Sequence, residues 1–249
     1  MSEYKFPTEV IDLPSQGKLY SKDSPLAEGK IELKYMTTKE EDILMSQNLI
    51  KKGLVIDKLL DSLIVTEGVK QADLILGDKN AVLVASRILA YGPDYTVEVT
   101  NPNNIEQKIQ HTFDLSKCPF KGLSEDVDYS NNSFDYTTPI GKQKIKFKLL
   151  TGADEALIEK DISQSAKYGV SSDITTRLRY TVIQVGDDSD KSTINEFTQN
   201  LLARDSVTLR NYIKEISPDI DLTSEVEIGG ETVSVSIPLT VEFFWPQTI

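Results

Sequence analysis

Ile31-Glu32-Leu33-Lys34-Tyr35-Met36-Thr37 runs into Glu40-Glu41-Asp42-Ile43-Leu44, and 114 positions later Ile145-Lys146-Phe147-Lys148-Leu149-Leu150-Thr151 runs into Asp154-Glu155-Ala156-Leu157-Ile158. Each stretch alternates apolar and polar residues, as a half-buried strand does, then changes to helical spacing at a threonine. Both threonines are predicted N-caps: Thr37 has Glu40 three residues on and Thr151 has Asp154, the capping-box spacing. A strand feeding a helix, written twice, predicts an α+β chain made by internal duplication.

The correspondence continues with offsets that grow, as loop insertions require. Leu60 and Ile64 align with Leu178 and Val182 inside a second predicted helix. Further on, Asn80, Val82, Val84, Ile88, Tyr91, Pro93 and Asp94 align with Asp205, Val207, Leu209, Ile213, Ile216, Pro218 and Asp219 in a third. Positions 84, 88 and 91, like 209, 213 and 216, fall on one helical face. Asn80 and Asp205 are expected to cap this helix, and Pro93 and Pro218 to stop it. The period then shortens to that of strands. Tyr95 to Val99, the turn Asn101-Pro102-Asn103-Asn104, and Ile109 to Leu115 predict one hairpin. Glu225 to Ile228, Gly229-Gly230, and Thr232 to Phe243 predict the other, with Val233, Val235, Ile237, Leu239, Val241 and Phe243 on its core face.

Each copy is thus a strand–helices–β-hairpin unit. The expected organisation is an extended N-terminal arm over 1–30, a first α+β repeat over 31–123, a linker and lead-in to the second copy over 124–143, and a second repeat with an aromatic C-terminal strand over 144–249. The arm carries Pro7, Pro14, Pro25, Gly17 and Gly29, which predict short turns. Two roles fit it: lying over its own domain, or docking on a partner.

Composition narrows the function. With 39 acidic and 27 basic residues the formal charge is -12, opposite to what a nucleic-acid-coating surface needs. No nucleic-acid partner is expected. Apolar runs such as Ala81 to Ala85 fall far short of the roughly 20 residues that span a bilayer, so no membrane insertion is expected either. Met1-Ser2-Glu3-Tyr4 begins the chain without an apolar signal core, and nothing there predicts secretion. The single Cys and single His leave no thiolate- or imidazole-rich metal site and no disulfide framework.

Catalytic constellations are not found. Consecutive residues on a helix point about 100° apart, so Glu40, Glu41 and Asp42 cannot converge on one ion unaided. Carboxylates in a first turn are better explained by the helix dipole, and the same holds for Asp154 and Glu155. His111 shares a strand face with Ile109, Phe113 and Leu115 and has no second His to form a ligand pair. Cys118 lacks an identifiable activating base. Gly229-Gly230 has neither the Lys-Ser/Thr nor the helix start of a phosphate loop. The expectation is a protein without enzymatic activity, cofactor or bound metal.

The end of the chain is its most distinctive local feature. Pro238-Leu239-Thr240-Val241-Glu242-Phe243-Phe244-Trp245-Pro246 puts three aromatics in a row. Phe243 continues the core face and is expected to be buried. Phe244 and Trp245 fit either a strand buried on both sides or an aromatic hook offered to a partner.

Several segments together resemble a known group. These are Leu13-Pro14-Ser15-Gln16-Gly17-Lys18-Leu19-Tyr20, Met36 to Leu44, Arg204-Asp205-Ser206, Pro218-Asp219-Ile220-Asp221-Leu222 and Phe243-Phe244-Trp245-Pro246. They are similar to the baseplate hub and hub-assembly proteins of T-even-like contractile-tailed bacteriophages. The resemblance implies a non-enzymatic tail protein, a baseplate hub subunit or hub assembly factor, whose partners are other phage baseplate or tail proteins. It implies residence in the virion tail baseplate, or in the host cytoplasm during assembly. Some relatives carry Cys pairs in the hairpins, suggestive of zinc. Val99 to Gln107 and Val226 to Glu231 contain no Cys, so a zinc knuckle is not carried over.

Three functional classes follow. The first is a structural or assembly protein that uses Leu13, Pro14 and Tyr20 of the arm, the hairpin edges, and Phe244 and Trp245 of the tail to bind partners. The second is a transient chaperone for a hydrophobic tail-protein segment, absent from the finished virion. The third is a carboxylate-dependent hydrolase, which requires at least two of Glu40, Glu41, Asp42, Asp154 and Glu155 to converge in a cleft.

Overall fold

The computed structural model describes residues 6–101, 103–167 and 172–245. The chain opens with strand β1 (Thr8–Asp12), which runs antiparallel to β2 (Lys30–Lys34) with Ile11 opposite Ile31. Between them lies a loop with a 3-10 turn at Pro25–Glu28, capped by the Ser24 hydroxyl and closed by Gly29 at φ 70°. The segment read from sequence as an extended arm is therefore anchored by a paired strand; its residues 1–5 lie outside the described residues.

At Thr37 the chain turns into α1 (Thr38–Met45) through a full capping box. The Thr37 hydroxyl accepts from the backbone of the first turn while the Glu40 carboxylate accepts from the Thr37 N–H at 2.9 Å. Next come α2 (Gln47–Lys51), α3 (Val55–Leu63) and α4 (Leu76–Tyr91). The hairpin β3 (Asp94–Asn101) and β4 (Asn104–Asp114) then forms where the alternation predicts it, though Pro102 of its turn lies outside the described residues. After short β5 (Phe120–Lys121), the second half builds a three-stranded antiparallel sheet from β6 (Phe134–Thr137), β7 (Lys144–Phe147) and β8 (Val182–Val185). Its helices are α5 (Gly152–Ala166), entered through the Thr151–Asp154 capping box, α6 (Asp173–Thr181), α7 (Lys191–Asn200) and α8 (Ala203–Ile216). Short β9 (Asp219–Ile220) pairs with β5, and β10 (Thr223–Ile228) pairs with β11 (Glu231–Ser236). These helices and small antiparallel sheets make an α+β fold.

Local expectations are corrected in three places. Asn80 and Asp205 do not cap their helices: α4 begins at Leu76 behind Ile75 and α8 at Ala203 behind Leu202, neither with a side-chain cap. Both polar residues instead serve tertiary bonds. Ile64 and Val182 lie just beyond α3 and α6 in extended backbone, Ile64 bridging Leu33 and Val182 pairing with Phe147. The last strand stops at Ser236 rather than running to Phe243, because Pro238 cannot donate to a ladder. Val241–Phe244 coils into a 3-10 turn. That turn lets Phe243 and Phe244 both enter the core, at 0% and 1% exposure, where a strand would point them to opposite faces.

Two apolar cores result, and they interlock. One joins Leu33, Leu59, Leu60, Leu63, Val82, Val99 and Phe113 with Val226, Ile228, Val233, Ile237, Phe243 and Phe244 from the end of the chain. The other joins Phe134, Ile145, Phe147, Leu149, Leu178, Leu209 and Ile216, and takes Leu19 and Ile75 from the first half. The final hairpin thus packs on the first core. A main-chain seam fastens the halves: Leu76 N–H donates to the Leu150 carbonyl at 3.0 Å and Gly152 N–H to the Leu74 carbonyl at 2.9 Å. At the same seam α4 runs so close to the next segment that a Cβ on Gly77 would lie 1.8 Å from the Pro218 carbonyl oxygen.

Candidate functional site

The carboxylates singled out by sequence sit at two separate helix starts. Glu40, fully buried, accepts from Lys34 Nζ at 2.8 Å, from the Ser62 hydroxyl at 2.6 Å and from the Thr37 N–H and hydroxyl. Burial pushes its pKa up, but those donors together outweigh it and hold the carboxyl at about 2. Glu41 and Asp42 are exposed, and Glu41 lies beside the Tyr91 hydroxyl. At α5, Asp154 takes both Nζ contacts of Lys148, at 2.7 and 2.8 Å, while Glu155 pairs with Arg177. Glu40 and Asp154 are consumed as caps and as partners of a strand lysine. Among the described residues, no group of three or more His, Cys, Asp and Glu side chains is placed to hold a metal ion.

His111 lies half-buried against the Phe113 ring, with centroids 4.6 Å apart. The half-buried Cys118 thiol is pushed up by burial and by Asp221 and Asp114 nearby, which reduces its thiolate character.

The arm is held by a residue the sequence reading passed over. Asp78, 0% exposed in the first turn of α4, accepts from the Ser15 N–H at 2.9 Å and from the Ser15 and Tyr20 hydroxyls, both at 2.6 Å. The Tyr20 oxygen in turn accepts from the Ile75 N–H at 3.1 Å. Burial raises the Asp78 pKa against the pull of these donors, and burial with the adjacent Asp78 charge raises that of Tyr20. The second half uses Asp205 in the same way. Its two oxygens accept from the Ile140 and Gly141 N–H groups, each at 2.8 Å, in the loop joining β6 to β7. Asp78 and Asp205 each stand two residues inside their helix, and each bonds a loop that contains both Pro and Gly.

Of the five residues expected to meet partners, Leu13, Pro14 and Phe244 are buried in this chain and Tyr20 is half-buried on Asp78. Trp245 alone of the five is exposed, at 42%. Pro246 lies outside the described residues. A buried arginine holds the turn before Trp245: Arg87 donates to the Phe243 carbonyl at 3.2 Å and lies over the Tyr91 and Tyr95 rings.

A concavity lies along the seam of the two halves. A cleft of about 830 Å³ is lined by Leu76, Leu149, Leu150, Phe120, Ile213, Pro218, Leu222, Ile237 and Leu239, with Lys121 and Lys214 on its walls. Phe120 is 44% exposed there. The lining is mostly apolar, and Asp219, Asp221 and Lys148 also contribute to it, as suits a site that contacts an apolar surface through a few polar groups. No helix among the described residues is long and apolar enough to cross a membrane.

The family model described as T4 bacteriophage base plate protein matches residues 5–245. The chain belongs to that family, and is a baseplate protein of a T4-like phage. No curated protein and no solved structure matches it.

Proposed function

We propose that this member of the T4 bacteriophage base plate family acts as a baseplate hub subunit or hub assembly factor, through protein–protein contacts and without enzymatic activity. The observation that carries this reading is how its polar groups are spent. Glu40, Asp78, Asp154 and Asp205 all hold the chain's own backbone and loops, while the surface offers an apolar cleft and the exposed Phe120 and Trp245. Its partners on this reading are other baseplate or tail proteins of the same phage. Co-expression with the tail proteins of that genome, followed by pull-down, tests it: a stoichiometric complex with a hub component is expected, and failure to associate with any of them overturns it.

The apolar cleft also suits a second role, as a transient chaperone for a hydrophobic tail-protein segment. Mass spectrometry of finished particles separates the two. A hub subunit is present at fixed stoichiometry, whereas a chaperone is missing.

The same reading includes descent from a duplicated strand–helices–hairpin unit. Supporting it, Leu33 bridges Ile64 in the first half as Phe147 pairs with Val182 in the second, at the aligned positions. Lys34 meets Glu40 as Lys148 meets Asp154, and Asp78 and Asp205 each clamp the loop that joins the first two strands of their half.

A further inference from the structure

The outer edge of β1 carries hydrogen-bonding groups that nothing among the described residues pairs. The Tyr35 N–H donates to the Pro7 carbonyl and the Leu13 N–H to the Gly29 carbonyl, which sets the phase of the β1–β2 ladder. In an antiparallel pair, residues alternate between exchanging hydrogen bonds with the partner and facing away from it. Glu9 and Ile11 therefore bond to β2, and the N–H and C=O groups of Thr8, Val10 and Asp12 point outward. The side chains of those three residues are exposed as well, Val10 at 58%. An apolar residue at the centre of a free edge is unusual, since edge strands are normally blunted by charge or proline.

We infer that two copies of this chain join through β1, antiparallel and centred on Val10, merging their two-stranded sheets into one. The sequence of the edge selects this occupant and this register. About a two-fold axis at Val10, each Val10 faces its counterpart, Thr8 faces Asp12 and Glu9 faces Ile11, so no like charges are opposed. All three outward residues then find partners. An axis at Glu9 would set Glu9 against Glu9 and leave Asp12 unpaired, and an axis at Ile11 would leave Thr8 unpaired. The side chain of Ile11 packs toward the first core, which holds the strand in position for pairing.

Sedimentation velocity on the full chain across a concentration series tests this. A concentration-dependent dimer is expected. Val10→Pro removes the central outward N–H without touching the ladder to β2, and Val10→Lys sets two cations face to face. Each is expected to weaken the dimer by at least about tenfold. Circular dichroism checks that both variants stay folded, and either alone suffices. A chain that is monomeric at about 1 mM, or a dimer that both variants leave unchanged, overturns the inference.

Discussion

Arg87, near the C-terminal end of α4, donates from Nε to the carbonyl of Phe243, a residue 156 positions later in the chain. Arg87 is 5% exposed, and its guanidinium has no carboxylate within ion-pair distance among the described residues. It also bonds the Gly92 carbonyl at 3.3 Å and lies 4.9 Å from the Tyr91 ring centroid. Burial lowers its pKa, with the tyrosines nearby acting in the opposite direction. One cation, satisfied by carbonyls and ring faces, pins the end of the chain to the first core.

Arg87→Ala should accordingly destabilise the fold by about 2–4 kcal/mol, through a lost side-chain packing volume and an unpaired Phe243 carbonyl. Urea denaturation measures it. Trp245 is the single tryptophan and adjoins the pinned turn, so its emission should change before the global transition.

Asp78→Ala should free the loop between β1 and β2. It leaves the Ser15 N–H and two hydroxyls without their shared acceptor, at a cost of about 2–4 kcal/mol. Tyr20→Phe removes one of these bonds and the acceptor of the Ile75 N–H, leaves Ser15 bound to Asp78, and should cost about 1–2 kcal/mol. Limited proteolysis at Lys18 and Lys22 should accelerate in the first variant far more than in the second.

Glu40 makes stability depend on acid pH. Its folded pKa of about 2 lies below the usual 4.5, so its contribution is complete above pH 4.5 and is lost as pH falls through 2. The full value is on the order of 3 kcal/mol. Glu40→Gln should be less stable at neutral pH and should flatten the stability profile between pH 4.5 and 2, as read from denaturation midpoints.

Gly77→Ala tests the seam. The new methyl would meet the Pro218 carbonyl oxygen at 1.8 Å, so α4 and the Pro218–Asp219 segment must separate. A loss of about 1–3 kcal/mol is expected, as for other overpacked sites. Amide exchange should rise at Leu76 and Gly152, whose N–H groups bridge the halves.

The elements that could be read directly are those whose signals are local. The Thr37 and Thr151 caps lie three residues from their carboxylates, and both hairpins follow period-two alternation around a short turn. Errors arose where a residue's purpose is distant. Asp205 looked like a cap because Asp is a good cap, yet its partners are Ile140 and Gly141, more than sixty residues earlier. Thr232 to Phe243 looked like one strand because apolar alternation persists through Pro238, whose missing N–H ends the ladder.

The sequence by itself determined the α+β class, the Thr37 and Thr151 capping boxes, the proline stops and the acidic charge balance. All of these depend on spacing and composition within a few turns of chain. Only the tertiary structure decided that the last hairpin and Phe243 and Phe244 fill the first core, that Asp78 clamps the arm, and that a cleft opens along the seam. Apolar burial carries no direction, so an alternating strand specifies a buried face without specifying which core receives it.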